Sequence, residues 1–359
     1  MDFQKIQMNK EIFLDARLSA NSGIGRYIDC LIHEFVKHPD WGYSWSLLTN
    51  DKSQFGRVGE CYKSQLSPFS PLWQLQAPLV IPRHKLLWTP HWNHPLLTGS
   101  RVANVVTIHD VMPLRFPELY SNFDRYLFNL FLSAAVKRKY TIITVSDFSK
   151  REILDLYPSA IVEVIFNGTT ALPFDHSGEN SRNPYLLCVG NWKPHKNISF
   201  AIRAFRLAKE RGWISSNIKL IVAGKVKGLR QADSSLLQIY GREPDIKFVE
   251  HPSDSKLGRL YQDCLALIAP SKYEGFGLPI LEAMHFNKPI VCSDIPPFRE
   301  IADNTVEYFD VQDVDACAIA ITKIVSTMGA CESRYEQILK RFTWAQSALT
   351  HHQIFSKLY

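Results

Sequence analysis

Ser271-Lys-Tyr-Glu-Gly-Phe-Gly-Leu-Pro-Ile-Leu-Glu-Ala-Met284 sets two glutamates on either side of a glycine turn that opens directly into a helix. The apolar run Leu265-Ala-Leu-Ile-Ala269 before it reads as a buried strand, and Pro279 suits the first turn of a helix, where a missing N–H costs nothing. Gly275 and Gly277 let bare backbone approach a ligand. The orphan N–H groups of Gly277 and Leu278, backed by Phe276 and the positive end of the helix dipole, favour a pyrophosphate. Glu274 lies just before the turn and Glu282 inside the helix. They are placed to grip opposite ends of one molecule, a sugar on one side of the phosphates and a ribose on the other. A bare E-G-x-G string reads more often as a capped strand-to-helix turn than as a phosphate site, so the weight rests on the full string.

Working outward, 359 residues are too many for one ordinary core and suit two domains. A hydrophobic share of 46% and a charged share of 21%, with no low-complexity segment, describe a globular chain that folds throughout. The net charge of +6 is divided evenly between the two halves, and no basic-aromatic module appears, which argues against a nucleic-acid partner. Cys30, Cys61, Cys188, Cys264, Cys292, Cys317 and Cys331 include no C-x-x-C pair, as expected of reduced thiols in a cytoplasmic protein. The first residues are too polar for a signal peptide, and no run approaches the roughly 18 apolar residues of a membrane span. Any membrane contact is therefore expected to be peripheral, on the cytoplasmic face. Tyr126-Leu-Phe-Asn-Leu-Phe-Leu-Ser-Ala-Ala135, followed by Lys137-Arg-Lys139, reads as a core helix with cations at its negative end rather than a docking face.

Glu11-Ile-Phe-Leu-Asp15 reads as a first strand, and Ala20-Asn-Ser-Gly-Ile-Gly-Arg-Tyr27 as a glycine loop, with Gly23 and Gly25, entering a helix. Short apolar runs follow at Trp45-Ser-Leu-Leu-Thr49, Leu86-Leu-Trp88, Val102-Ala-Asn-Val-Val-Thr-Ile108, Thr141-Ile-Ile-Thr-Val145 and Val162-Glu-Val-Ile-Phe166, as expected of parallel strands buried on both faces. Residues 169–183 are polar, aperiodic and rich in turn formers, and are read as a linker. The strand–helix pattern restarts at Tyr185-Leu-Leu-Cys-Val189 and continues through Lys219-Leu-Ile-Val-Ala223, Ile246-Lys-Phe-Val249, Leu265–Ala269 and Pro289-Ile-Val-Cys292. The expected division is therefore 1–168, a linker 169–183, a second domain 184–340 and a final helix over 341–359.

The string Glu-Gly-Phe-Gly-Leu-Pro-x-x-Glu-Ala resembles the E-x7-E signature of the retaining nucleotide-sugar glycosyltransferases of family 4, and further pieces can be followed from Asp15 to Trp344. Asn21-Ser-Gly-Ile-Gly-Arg-Tyr27 is similar to the family's first glycine loop, which approaches the donor diphosphate. Thr107-Ile-His-Asp-Val-Met-Pro113 resembles its T-x-H-D block and implies that His109 lines the reacting face. Val145-Ser-Asp-Phe-Ser-Lys-Arg-Glu152 matches an S-x-x-S-K segment that contributes Ser146. Cys188-Val-Gly-Asn-Trp-Lys-Pro-His-Lys-Asn197 resembles V-G-x-x-x-P-R-K-N, in which the lysine, here Lys196, binds phosphate. The chain departs from that pattern at Asn191, where some relatives carry a second phosphate-binding arginine, at His195 in place of arginine, and at Phe248-Val-Glu-His-Pro252, which lacks a small glycine beside the base. Singly, these pieces have plainer readings: a G-x-G turn, a satisfied core histidine, a solvated lysine. Their joint order is what counts.

The resemblance implies a GT-B fold, two Rossmann-like doubly wound parallel-sheet α/β domains facing a central cleft, the first on the acceptor side and the second holding the donor, with the final helix returning to the first domain. It implies a retaining hexosyltransferase with Glu274, His109 and Lys196 as catalytic residues. Gly23, Gly25, Asn191, Lys196, Gly275, Phe276, Gly277, Leu278 and Glu282 are the implied donor-binding residues. The donor is a nucleoside diphosphate sugar, with mannose from GDP-mannose the first choice, and the acceptor a glycan or lipid-linked glycan in cell-surface polysaccharide or lipopolysaccharide assembly. The departing phosphate takes the acceptor proton in such enzymes, so no separate base and no cofactor is expected. Asp313-Val-Asp315 has metal-chelating spacing but precedes an apolar helix, where an aspartate is the natural N-cap, and no metal is assigned to it. His91-Trp-Asn-His94 has zinc-like spacing without further ligands nearby, so His91 and Asn93 are read with Ser146 as acceptor-side residues, within the Pro-, Trp- and His-rich acceptor loops of 66–97. The rival readings are a GT-B nucleotide-sugar epimerase and a non-catalytic nucleotide-sugar-binding subunit.

Overall fold

In the computed structural model, which describes residues 10–19, 22–51, 55–81, 86–97, 103–174, 183–225, 233–239, 242–327 and 335–359, the apolar runs are parallel strands. The chain forms two compact units, Met1–Gly168 with Trp344–Tyr359, and Thr169–Thr343.

The first unit holds β1 (Lys10–Asp15), β2 (Tyr43–Thr49), β3 (Glu60–Lys63), β4 (Leu86–Thr89), β5 (Ala103–Thr107), β6 (Thr141–Thr144) and β7 (Ile161–Val164) in the order β3-β2-β1-β4-β5-β6-β7. Its helices are α1 (Ser22–Val36), α2 (Pro71–Val80), α3 (Met112–Arg115), α4 (Asn122–Lys137) and α5 (Asp147–Leu156). Ile12 pairs with Leu86 and Leu14 with Trp88, so the ends of β1 and β4 lie side by side where the strand order reverses. Ile12, Leu14, Tyr27, Phe35 and Trp88 share one buried cluster with Trp344 and Phe355 near the chain's end. Ser121 and Ser146 cap α4 and α5, accepting from Asp124 N and Ser149 N, each at 3.0 Å.

The second unit holds β8 (Tyr185–Val189), β9 (Lys219–Gly224), β10 (Ile246–Glu250), β11 (Ala266–Ala269), β12 (Ile290–Ser293) and β13 (Glu307–Phe309) in the order β10-β9-β8-β11-β12-β13. Here the order reverses between β8 and β11, with Leu187 beside Leu267. Its helices are α6 (Ile198–Glu210), α7 (Ser234–Ile239), α8 (Asp254–Asp263), α9 (Leu278–His285), α10 (Pro296–Ala302), α11 (Val314–Ser326) and α12 (Glu336–Arg341). The last helix, α13 (Trp344–Lys357), packs on α1 in the first unit. Asp313 caps α11, accepting from Ala316 N at 2.9 Å, and Asp315 faces Arg211 at 3.6 Å.

Several local readings change. β3 and β13 carry no apolar run and were not anticipated; both are edge strands with a single neighbour. The stretch 66–97, expected as irregular acceptor loops, contains the regular helix α2. Gly23 and Gly25 lie in the first turns of α1 rather than in a loop before it, while Ala20 and Asn21 fall outside the described residues. Residues 169–174 carry no regular element, and 175–182 of the expected linker lie outside the described residues. α4 buries Phe128, Phe131 and Leu132, as expected of a core helix, with Lys137 in its last turn, and it turns Phe123 and Tyr126 outward.

Candidate functional site

In open parallel sheets ligands bind beyond the carboxyl ends of the strands, where the strand order reverses. In the second unit two loops meet there. The loop after β8 makes a 3₁₀ turn over Pro194–Lys196, ended by Asn197 in the left-handed region, φ 54°. The loop after β11 runs from Ser271 into α9. Lys272 N donates to His195 O at 2.8 Å and ties the two loops together. Beside that bond Lys196 Nζ donates to Glu274 Oε1 at 2.5 Å, and Ser271 Oγ donates to the same oxygen at 2.6 Å. Neither bond uses Oε2. Burial alone would raise the Glu274 pKa, but the Lys196 charge and these bonds outweigh it and hold the carboxyl below its ordinary range. Burial pushes His195 down to about 3, helped by the Lys196 charge, so it is a neutral neighbour.

Gly277 is the N-cap of α9 at φ 140°, a backbone region closed to other residues. A Cβ there would also lie 3.0 Å from Phe298 Cε1. The side chain of Phe276 is buried edge-on against Phe342 and anchors the turn, which leaves its backbone, not its ring, for a ligand. Glu282 is buried, and Tyr261 Oη donates to its Oε2 at 2.8 Å, joining α8 to α9. Asn191 Oδ1 accepts from Lys225 N at 3.4 Å. Gly190 follows β8 beside the Lys196 stem, which a Cβ would meet at 3.4 Å.

The first unit builds a different cluster at its own reversal. Arg17 grips Asp15 through Nε to Oδ1 at 2.8 Å and Nη2 to Oδ2 at 2.6 Å, donates from Nη1 to Leu66 O at 3.1 Å, and lies 3.7 Å from the Trp73 ring centre. Burial opposes the Asp15 charge, yet Arg17 and His91 overcome it and hold the carboxyl far below its ordinary range. An ionised carboxylate only accepts, so the 3.1 Å contact to Asp15 Oδ2 is donated by His91 Nε2. His91 Nδ1 is buried and without a partner among the described residues. Asn93 donates to Pro68 O at 2.5 Å and accepts from Gln74 Nε2 at 3.0 Å. His94 turns away from His91, to the carbonyls of Pro95 and Phe131, so the two histidines do not converge on one point. Ser146 is buried, its hydroxyl committed to Ser149 N and Oγ as a helix cap.

His109 follows β5. Its Nε2 donates to Pro90 O at 3.1 Å and its ring meets Tyr27 edge-on at 5.1 Å. Burial pushes it down to about 4, so it is neutral and offers Nδ1 as an acceptor. Gly23 and Gly25 lie in the first turn of α1, with open space where a Gly23 Cβ would stand.

The sequence reading missed Ser271, Tyr261, Asp15 and Arg17. The visible signal for the last two is Asp-Ala-Arg at the end of the apolar strand Ile-Phe-Leu, where charges are out of place unless they pair.

Residues 173–340 match the family profile described as glycosyl transferases group 1. An O-antigen chain mannosyltransferase of Salmonella typhimurium is 30% identical over 260 residues, covering 72% of this chain and 69% of that protein. O-antigen chain mannosyltransferase B of Escherichia coli is 27% identical over 255 residues, 67% of this chain and 66% of that protein. Among solved structures, a sucrose-phosphate synthase from Thermosynechococcus elongatus superposes with a TM-score of 0.75 at 17% identity, over 97% of this chain and 99% of that one, a likeness of fold.

Proposed function

Because this chain belongs to the glycosyl transferases of group 1 and has the GT-B fold, we propose that it moves a hexose from a nucleoside diphosphate to an acceptor hydroxyl with retention at the anomeric carbon. The observation that carries the reading is the Lys196–Glu274 pair, part-exposed at the strand reversal beside the N-terminus of α9. The diphosphate replaces Glu274 as the partner of Lys196 and sits on the amides that open α9, which stabilise the charge that develops as it leaves. Glu274, released, accepts hydrogen bonds from the donor sugar. Glu282 takes the ribose. The bond from the anomeric carbon to the phosphate oxygen breaks, the bond to the acceptor oxygen forms on the same face, and the acceptor proton passes to the departing phosphate. The chemistry needs neither a separate base nor a metal. Mannose from GDP-mannose is the first choice of donor, since both relatives are named as mannosyltransferases of O-antigen chains, and a lipid-linked glycan in polysaccharide assembly is the corresponding acceptor.

A melting panel of UDP-, GDP-, ADP- and dTDP-sugars tests the donor, because a ligand at 100 times its dissociation constant adds about 2.7 kcal/mol of stability. GDP-mannose is expected to raise the melting point most, and the product of a turnover assay to keep the donor's anomeric configuration by NMR. Excess EDTA is expected to leave the rate unchanged. Inhibition by chelator, with rescue by Mn²⁺ and loss of activity in Asp313→Asn/Asp315→Asn, would overturn the metal-free scheme.

A further inference from the structure

The helix α2, Pro-Leu-Trp-Gln-Leu-Gln-Ala-Pro-Leu-Val, is amphipathic the wrong way round for a helix that faces water. Both of its polar side chains point inward. Gln74 donates to Asn93 Oδ1 at 3.0 Å and His94 O at 3.2 Å, and accepts from Leu96 N at 2.8 Å. Gln76 Oε1 accepts from Ser64 Oγ at 2.8 Å. The outward face is Pro71, Leu72, Leu75, Pro78 and Leu79, with the leucines 60%, 68% and 87% exposed and no side-chain donor or acceptor among them. A leucine stripe at i, i+3 and i+7 turned to solvent is unfavourable unless something apolar covers it.

A second stripe lies close by. On α4, Phe123, Tyr126 and Leu130 point outward at the same spacing, and the exposed Lys137, Arg138 and Lys139 follow at the helix end. One loop joins the two helices: Leu96 N binds Gln74 on α2, Leu96 O accepts from Arg138 after α4, and the adjacent Leu97 is exposed. Phe69, also exposed, stands one residue before the N-cap of α2.

We infer that this face of the first unit docks on the surface of an anionic lipid bilayer. The choice of occupant follows from its chemistry. A protein partner would ordinarily be met by about one hydrogen bond per 100–200 Å², and the outer face of α2 has no side chain to make one, whereas hydrocarbon asks for none. Aromatic side chains at the edge of the patch suit the headgroup level. The exposed cations after α4 complement anionic headgroups and place the leucines against the acyl region, the arrangement of an interfacial helix. Among the described residues no helix is long and apolar enough to cross a membrane, so the contact is peripheral. The inference rests on exposed side chains, not on the sugar chemistry, and either can fail without the other.

The test is flotation of the purified full chain with vesicles of phosphatidylethanolamine and phosphatidylglycerol, against vesicles of phosphatidylcholine alone. The chain is expected to float with the anionic vesicles, less so as salt rises. Leu72→Gln/Leu75→Gln/Leu79→Gln is expected to lose at least about tenfold in partitioning with an unchanged melting curve, because these side chains support no packing. Lys137→Gln/Lys139→Asn is expected to lose a smaller factor together with the salt dependence. Should the triple variant not fold, Leu79→Glu alone reads the same face. Wild-type protein that ignores both vesicles, or a folded leucine variant that floats like wild type, overturns the inference. So does light scattering that shows a wild-type dimer split by the leucine changes without vesicle binding, which would make the face a contact between copies.

Discussion

At the reversal of the first sheet the Asp15 carboxylate is sealed beneath Arg17, His91 and Trp73, whereas at the reversal of the second Lys196 and Glu274 keep 18% and 14% of their side-chain surface in water. Both clusters arise in the same way, from loops that follow the two strands flanking the reversal. Their chemistry differs in how completely the charges are satisfied. Asp15 takes three charge-assisted or imidazole donors and its guanidinium partner is itself committed to Leu66 O and an indole face. A ligand there would have to replace every one of these inside a closed core. Glu274 takes both its donors on one oxygen, and the lysine opposite it has further N–H groups to offer. Equivalent topology thus supplies a fixed strut in one unit and an exchangeable pair in the other.

The largest expected effect breaks the strut. Asp15→Ala leaves a buried, uncompensated Arg17 and is expected to cost about 3–5 kcal/mol in chemical denaturation; a variant as stable as wild type would show that the network contributes nothing. Lys196→Ala should do the reverse, melting near wild type while turnover falls on the order of 10², about 2.7 kcal/mol of transition-state stabilisation. Full activity in that variant would remove Lys196 from the mechanism.

Acid sharpens the contrast between the units. Burial holds His94, His109 and His351 at about 4 in the first unit and His195 at about 3 in the second, all below the ordinary 6.5. The unfolded chain therefore takes up protons that the folded chain refuses. Stability from these groups is complete above pH 6.5 and declines as the pH falls towards 4, at about 1.4 kcal/mol per pH unit for each histidine. With three such buried rings against one, hydrogen exchange at pH 5 relative to pH 7 should accelerate more in the first unit. Equal acceleration would contradict the assignment. The smallest effect concerns Glu282. Glutamine keeps the acceptor for Tyr261 but removes the charge, so Glu282→Gln should weaken donor binding about tenfold by calorimetry while kcat and the melting point hold; unchanged affinity would make Glu282 a packing residue alone.

The sheet interiors were legible because strands buried on both faces must be apolar throughout, as in Leu-Ile-Val-Ala of β9. Glu-Cys-Tyr-Lys of β3 and Glu-Tyr-Phe of β13 were not, since an edge strand is covered on fewer sides and carries no such run. α2 hid behind Pro71 and Pro78, which mark turns in most sequences; here one starts the helix and the other sits on its outer face. Glu274 and Glu282 could be read because only seven residues of chain lie between them. Asp15 and His91 stand 76 residues apart and meet only through the pairing of β1 with β4, a tertiary fact that no local string contains.

The seam between α1 and α13 has a consequence in time. The core around Tyr27, Phe35 and Trp88 is completed by Trp344, His351 and Phe355, with His351 Nδ1 donating to Ser347 O at 2.8 Å and its Nε2 accepting from Tyr27 Oη at 2.7 Å. Everything else in that unit has been translated by Gly168, while the whole of Thr169–Thr343 must still emerge before the closing helix exists. At about 5–20 residues per second that is a wait of roughly 10 to 35 s. During it the first-made sheet stands with an apolar flank bare on the ribosome, and the later-made unit, continuous in sequence, is free to finish folding first.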